Sequence, residues 1–376
     1  MSVLLIIGAS TRAAVASARQ SSWTIHAMDM FGDIDTRTRS NFQLLNNYPT
    51  ACISLLPDVQ PDAICITGAM ENHPRVLQEL STRSTLLAPA VDQIARMRDP
   101  LDLQAVLASS SCQYPRTFAS NQRLPQDKTR WLKKPIASAA GQGIHALNNT
   151  HTSSPDPTMI IQEQISGRSI SVSFLMHPAR TEVLGCTEQL LGHRELQASE
   201  FQYCGSIGPL HVPASIHRQI LELGHFLQHE YALRGLIGVD LILQDDKLWL
   251  IEINPRYTAS MELFEPQFDR SMMQLHLDSF SSNPASFNRI AHANMHYGKA
   301  VLFARATTQI PNEFQPIWQA ALNCQRPTVA DLPAIGATVL AGHPLFTIFA
   351  RSESAAQTKA KLHQQAATFY NRLYTT

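Results

Sequence analysis

Short apolar runs that stop at a glycine or an acid, alternating with helical stretches, restrict the first hundred residues more than any other feature. Residues 3–7 are all Val, Leu or Ile and end at Gly8, and 11–19 is Ala-rich with a helical pattern. A second run at 24–28 ends at Asp29, and a third at 63–67 ends at Gly68. Residues 74–82 then open a helix with proline in its first turn, where its missing N–H costs nothing. Apolar runs this short, alternating with helices, predict a parallel sheet covered on both faces. The class is therefore α/β (α+β) for the whole chain.

At 376 residues the chain is too long for one core. The pattern changes near 91, and a Ser/Asn/Pro-rich stretch follows 280, so the expected division is 1–92, 93–280 and 281–376. Within the middle part, 101–108 reads as a helix, 130–134 as a strand, and 148–158 as an exposed loop rich in Asn, Ser, Thr and Pro. Strands at 159–164 and 169–176 flank Ser166-Gly167, 216–230 is a helix, and 238–254 is a pair of strands. The last part shows strands at 300–304 and 345–350.

Lys plus Arg equals Asp plus Glu at 30 each, so no net field draws the chain to nucleic acid or an anionic membrane. Six scattered cysteines lack CxxC or zinc-finger spacing and are expected to be inert thiols. The first residues lack a basic leader, and no apolar stretch reaches the roughly 18 residues of a membrane span. A cytoplasmic protein is expected.

The chemistry concentrates in 238–254. Asp240 stands in the first strand, Glu252 in the second and Asn254 two residues on, so Glu252 and Asn254 share a face. A three-residue loop at Asp245-Asp246-Lys247 would set Asp240 opposite Glu252. A two-residue turn would send it to the other side unless a bulge restored the register. Three oxygen ligands without Cys or His suit a hard cation such as Mg²⁺ or Mn²⁺ that shares phosphate oxygens. Upstream, Lys134-Pro135 and the small-residue segment Ser138-Ala139-Ala140-Gly141-Gln142-Gly143 supply a cation and backbone N–H groups able to wrap phosphate.

These features, in this order and with Gln162-Glu163-Gln164-Ile165-Ser166-Gly167 between them, resemble the ATP-grasp superfamily. Glu252-Ile253-Asn254-Pro255-Arg256 is similar to its metal-binding run, and Asp331-Leu332-Pro333 with Gly336 looks like its small C-terminal lobe. The motifs at Glu71-Asn72-His73-Pro74, Arg98-Asp99-Pro100 and Phe201-Gln202-Tyr203-Cys204-Gly205 resemble a branch of predicted ATP-dependent carboligases related to biotin carboxylase. That branch occurs with one-carbon cofactor genes in methylotrophic bacteria.

The resemblance implies an N-terminal pre-ATP-grasp domain (1–92), an ATP-grasp domain (93–280, with a lid subdomain at about 130–170) and a C-terminal lobe. It implies a carboxylate–amine ligase working through an acyl-phosphate, with ATP and Mg²⁺ or Mn²⁺, and with small-molecule carboxylate and amine partners. A homodimer is the assembly to test. Lys134 and Arg256 would be catalytic. Lys134, Ser138, Gly141, Gly143, Gln162, Glu163, Ile165 and Ser169 would bind ATP, and Asp240, Glu252 and Asn254 the metal. Glu71, Asn72 and Tyr203 would face substrate. The ribose-binding acid of many members is replaced by Ser169, and the usual first phosphate-binding lysine by Arg98.

Two other readings fit parts of the chain. A nucleotide sensor would keep the fold without turnover. A dinucleotide-binding dehydrogenase would use Gly8 and Asp29, though no second or third glycine follows. His193, His211 and His296 are further cleft candidates that nothing local selects.

Overall fold

The computed structural model describes residues 2–147, 156–178, 180–282, 284, 286–290 and 295–374. The loop expected at 148–158 lies largely outside the described residues.

The apolar runs of the first part form a five-stranded parallel sheet in the order Asn41–Leu44, Thr24–Asp29, Val3–Ile7, Ala63–Ile66, Thr85–Leu86. Leu4, Leu5, Ile6 and Ile7 are all buried, as a strand covered on both faces requires. The sheet's loops at Gly8, Met30 and Gly68 open at the carboxyl ends of its strands. Two helices, Val91–Arg98 and Pro100–Leu107, lead out of this layer. Pro100 ends the first of them, and the Asp99 side chain accepts from the N–H groups of Leu101 and Asp102 at 2.9 and 3.3 Å to start the second. Arg98 is thereby fixed at a helix end.

A four-stranded antiparallel sheet follows, ordered Thr117–Ala119, Met159–Glu163, Trp131–Pro135, His145–Ala146. The largest sheet has eight strands, ordered Lys247–Asn254, Gly235–Gln244, Arg168–His177, Arg180–Leu191, Tyr203–Gly208, His296–Phe303, Pro344–Ser352, Val329–Ala330. The helix Ala214–Tyr231 places Ile216, Ile220, Leu223 and Leu227 on one face and packs on this sheet. Gly224 allows the approach, since a Cβ there would lie 2.6 Å from the Phe174 ring.

Three features depart from the expectation. Strands Arg180–Leu191 and Tyr203–Gly208 were not read from sequence, nor was the final helix Ala355–Tyr374. The sheet also runs without a break across residue 280, because His296–Phe303 pairs with Tyr203–Gly208. Of the cysteines, Cys324 is exposed and the other five are buried. No helix among the described residues is long and apolar enough to cross a membrane.

Candidate active site

Strands Gly235–Gln244 and Lys247–Asn254 are joined by two residues, Asp245 and Asp246, with Asp245 at φ 52°. The three-residue loop does not form. Leu241 pairs with Leu250 and Asp240 with Glu252, so Ile251 is a bulge that restores the register. Asp240 and Glu252 consequently face each other, with Asn254 on the same side. Asp240 accepts hydrogen bonds from Gln189 Nε2 at 2.9 Å and Asn254 Nδ2 at 3.1 Å. Burial, and then the like charge of Glu252, push its carboxyl up to about 7. A carboxylate held this way is short of positive charge. The all-oxygen donor set therefore fits a hard divalent cation.

Three cations come to the same place. Arg256 is held by Glu71, which accepts from Nε at 2.9 and 3.0 Å and from Nη2 at 2.7 Å, while Asn254 Oδ1 accepts from Nη2 at 3.0 Å. Burial acts to raise the Glu71 carboxyl, but Arg256 and Arg98 bring it below its ordinary value. Arg98 pairs with Glu252. Lys134 donates to Gln162 Oε1 at 2.8 Å, and burial pulls its ammonium pKa down against the field of Glu252.

All of these groups line one cavity of about 770 Å³. Its wall includes Ser138 and Gly141 of the small-residue loop, Gln162, Glu163, Ile165 and Ser169, and Tyr203, whose hydroxyl lies 2.8 Å from Ser206 Oγ. The small-residue loop is docked. The Ser138 carbonyl accepts from Asn72 Nδ2 at 3.0 Å, and the Ala140 carbonyl accepts from the Tyr203 N–H at 3.1 Å. Gly141 has φ 75°, and a Cβ there would lie 1.9 Å from the Phe201 carbonyl oxygen. Only glycine permits this seating.

Residues 97–260 match the model of the ATP-grasp domain. The chain carries an ATP-grasp domain. Its fold matches over nearly full length the carboxyaminoimidazole ribonucleotide synthase of Aspergillus clavatus, at 14% identity and a TM-score of 0.72, covering 99% of each chain. It also matches the L-amino acid ligase of Bacillus licheniformis, at 12% identity and a TM-score of 0.71, covering 98% of this chain and 97% of that one. By sequence, the D-alanine–D-alanine ligase of Petrotoga mobilis is 24% identical over 155 residues, 38% of this chain and 52% of that one. The chain spans about half the length of the curated relatives it matches. The fold shared with these two structures extends to the parallel sheet before residue 97 and to the strands after 260.

Within this cavity several expectations are revised. Glu71 is buried under Arg256, so it positions that guanidinium and has no free oxygen facing a substrate. Asn72 holds the loop at Ser138 and does not line the cavity. Gly143 is also outside the wall, tucked where a Cβ would meet Pro135 at 2.8 Å. His193, His211 and His296 do not reach it. Asp29 has no oxygen left for a ribose, because it accepts from the N–H and hydroxyl of Thr11 and from the N–H groups of Phe31 and Gly32. That removes the structural basis of the dehydrogenase reading.

A second charged group, with Arg12, Lys299 and Asp331 on the same wall and Glu262 behind them, has no local sequence signal. Arg12 donates to Glu262 and to Asp331 at 2.9 and 3.2 Å, and Lys299 donates to Glu262 at 2.7 Å. Arg12 and Asp331 stand 319 positions apart, beyond the reach of any local pattern.

Proposed function

We propose that this protein is an ATP-dependent carboxylate–amine ligase that forms an acyl-phosphate. The reading rests on one observation above all. Asp240, Glu252 and Asn254 share a face of one hairpin, with Lys134, Arg98 and Arg256 on the same cavity. Lys134 would neutralise the α- and β-phosphates, and Ser138 to Gly141 would cover them. The N–H groups of Glu163 and Gln164 already donate to the carbonyls of Arg116 and Arg130, which leaves the Ile165 N–H to meet the adenine edge. Ser169 lies on the wall and would stand toward the ribose, as the family pattern implies.

Asp240, Glu252 and Asn254 would hold Mg²⁺ or Mn²⁺, which would supply charge neutralisation of the phosphates. Arg256, fixed by Glu71, would stabilise charge growing on the transferred group. A substrate carboxylate oxygen attacks the γ-phosphorus and ADP leaves. An amine then attacks the acyl carbon and phosphate leaves, with the amine proton passing to solvent or base. Positioning and charge carry such a transfer without a protein nucleophile.

Glu252→Gln and Asn254→Ala are expected to fold and to release no ADP, while Mg·ATP and not NADH raises the thermal midpoint of the unaltered protein. Unchanged turnover in both variants would end the metal-site assignment. The ADP-release screen starts with glutamate and with pterin or furan cofactor precursors, following the one-carbon resemblance. The Arg98–Glu252 pair favours a second reading, a nucleotide sensor, because that cation occupies an oxygen a metal would use. Stabilisation by Mg·ATP with no ADP release on any substrate pair would select it.

A further inference from the structure

Asp33 is the one acid on the cavity wall near Arg12 whose side chain has no hydrogen bond or ion pair among the described residues, although it is only 9% exposed. Each neighbour is accounted for. Glu262 holds Arg12 and Lys299, Asp331 holds Arg12, and Asp35 accepts from the N–H groups of Asp331 and Leu332 at 2.9 and 3.0 Å. Arg12 has spent its guanidinium on Glu262 and Asp331 and offers Asp33 no hydrogen bond. Arg39, half-buried nearby, feels Asp35 and Glu262 and forms no ion pair with Asp33.

The local chain makes the position more unusual. Asp33 is the N-cap of the short helix Ile34–Arg37, where an aspartate ordinarily turns its carboxylate back onto the first N–H groups. Here no side-chain cap forms, and the backbone carbonyl of Asp33 takes the N–H groups of Thr36 and Arg37 instead. The carboxylate is left for the cavity, whose wall also includes Phe31, Val301 and Phe346. Its loop follows the strand Thr24–Asp29, at the carboxyl edge where open α/β sheets take ligands.

We propose that Asp33 binds a protonated amino group of a substrate. A buried acid without a protein partner is costly unless a ligand supplies the opposite charge. Burial and the fields of Asp331, Asp35 and Asp29 push its carboxyl well upward when no such cation is present, with Arg12 opposing. The name "substrate" rests on the ligase reading; the binding of the cation does not.

The test uses the full chain with Mg·ATP present, and thermal midpoints of the unaltered protein and of Asp33→Asn and Asp33→Ser. The probes are n-butylamine and cadaverine as simple amines, L-alanine and L-glutamate as α-amino acids, and butanol and glutarate as counterparts without the amino group. At least one amine or amino acid is expected to raise the midpoint of the unaltered protein by about 2 °C or more. Its amine-free counterpart should not, and both variants should lose the shift while keeping that of Mg·ATP. Whether the simple amines or the amino acids respond tells which source supplies the group. Equal shifts with and without Asp33, or no response to any amino compound, would overturn the proposal. Absence of a Mg·ATP shift in the unaltered protein counts separately, against the nucleotide site.

Discussion

Replacing Glu71 with Gln tests the coupling between the fold and the hairpin site. Glu71 is 1% exposed and comes from the turn after the fourth strand of the parallel sheet, whereas Arg256 stands two residues past Asn254, the end of the hairpin that carries Asp240 and Glu252. The amide would keep one acceptor and turn N–H groups toward the guanidinium. Removing one partner of a buried ion pair costs about 3–5 kcal/mol, mostly for the charge left behind. Here the field of Glu252 and Asp240 continues to act on Arg256, so the expected loss is at the lower end, about 3 kcal/mol. Released from Glu71, Arg256 would lean toward those two acids and compete with a divalent cation. Urea unfolding should therefore show the stability loss, and ADP release should fall at least tenfold with a higher Mg²⁺ requirement. The double variant Glu71→Gln, Arg256→Met should be more stable than Glu71→Gln alone, because it buries no orphan charge. A loss below about 1 kcal/mol together with full turnover would refute the argument.

His276 gives a pH prediction. Its Nδ1 accepts from the Leu236 N–H and its Nε2 donates to the Leu87 carbonyl, both at 3.0 Å, so the buried ring is satisfied as the neutral form. Burial lowers its pKa to about 4. The unfolded chain takes up the proton near pH 6.5, so this contribution is complete above that pH and is lost as pH falls toward 4, by about 3 kcal/mol. Urea unfolding between pH 4.5 and 7 should show the slope, and His276→Gln should lose about one proton's worth of it; identical slopes would contradict the assignment. Gly141→Val should raise KM for ATP while leaving nucleotide-free stability within about 1 kcal/mol, since the loop cannot reseat on Phe201. An unchanged KM would show that this docking is not needed.

The parallel sheet was legible because strands buried on both faces leave unbroken apolar runs, as at Val3–Ile7. Lys134 and the Glu252–Asn254 pair were legible because strand periodicity assigns faces locally. Strand Arg180–Leu191 was not, since its cavity side carries Gln189 and its apolar alternation is broken by Gly185 and Glu188. A wall that must meet polar ligands loses the pattern that identifies strands. The helix Ala355–Tyr374 buries Thr358, Leu362, Ala366 and Tyr370 at spacings of four, a face too small and too mixed to stand out. Glu71 and Arg256 lie 185 positions apart, and the pairing of such charges is decided by packing.

The bulge at Ile251 limits how this hairpin can change over generations. What keeps Asp240 and Glu252 on one side is the number of residues separating them, and the surplus residue can sit at the tip or in the strand. Sliding it from one place to the other would leave the acids together. A single insertion or deletion anywhere between them, not absorbed by a second bulge, would turn one acid away and carry the buried Leu248, Leu250 and Ile253 off the core face with it. Related chains should therefore vary here by shifting the irregularity or by changing length in steps of two, and a lineage that has gained or lost one residue should have given up the chemistry.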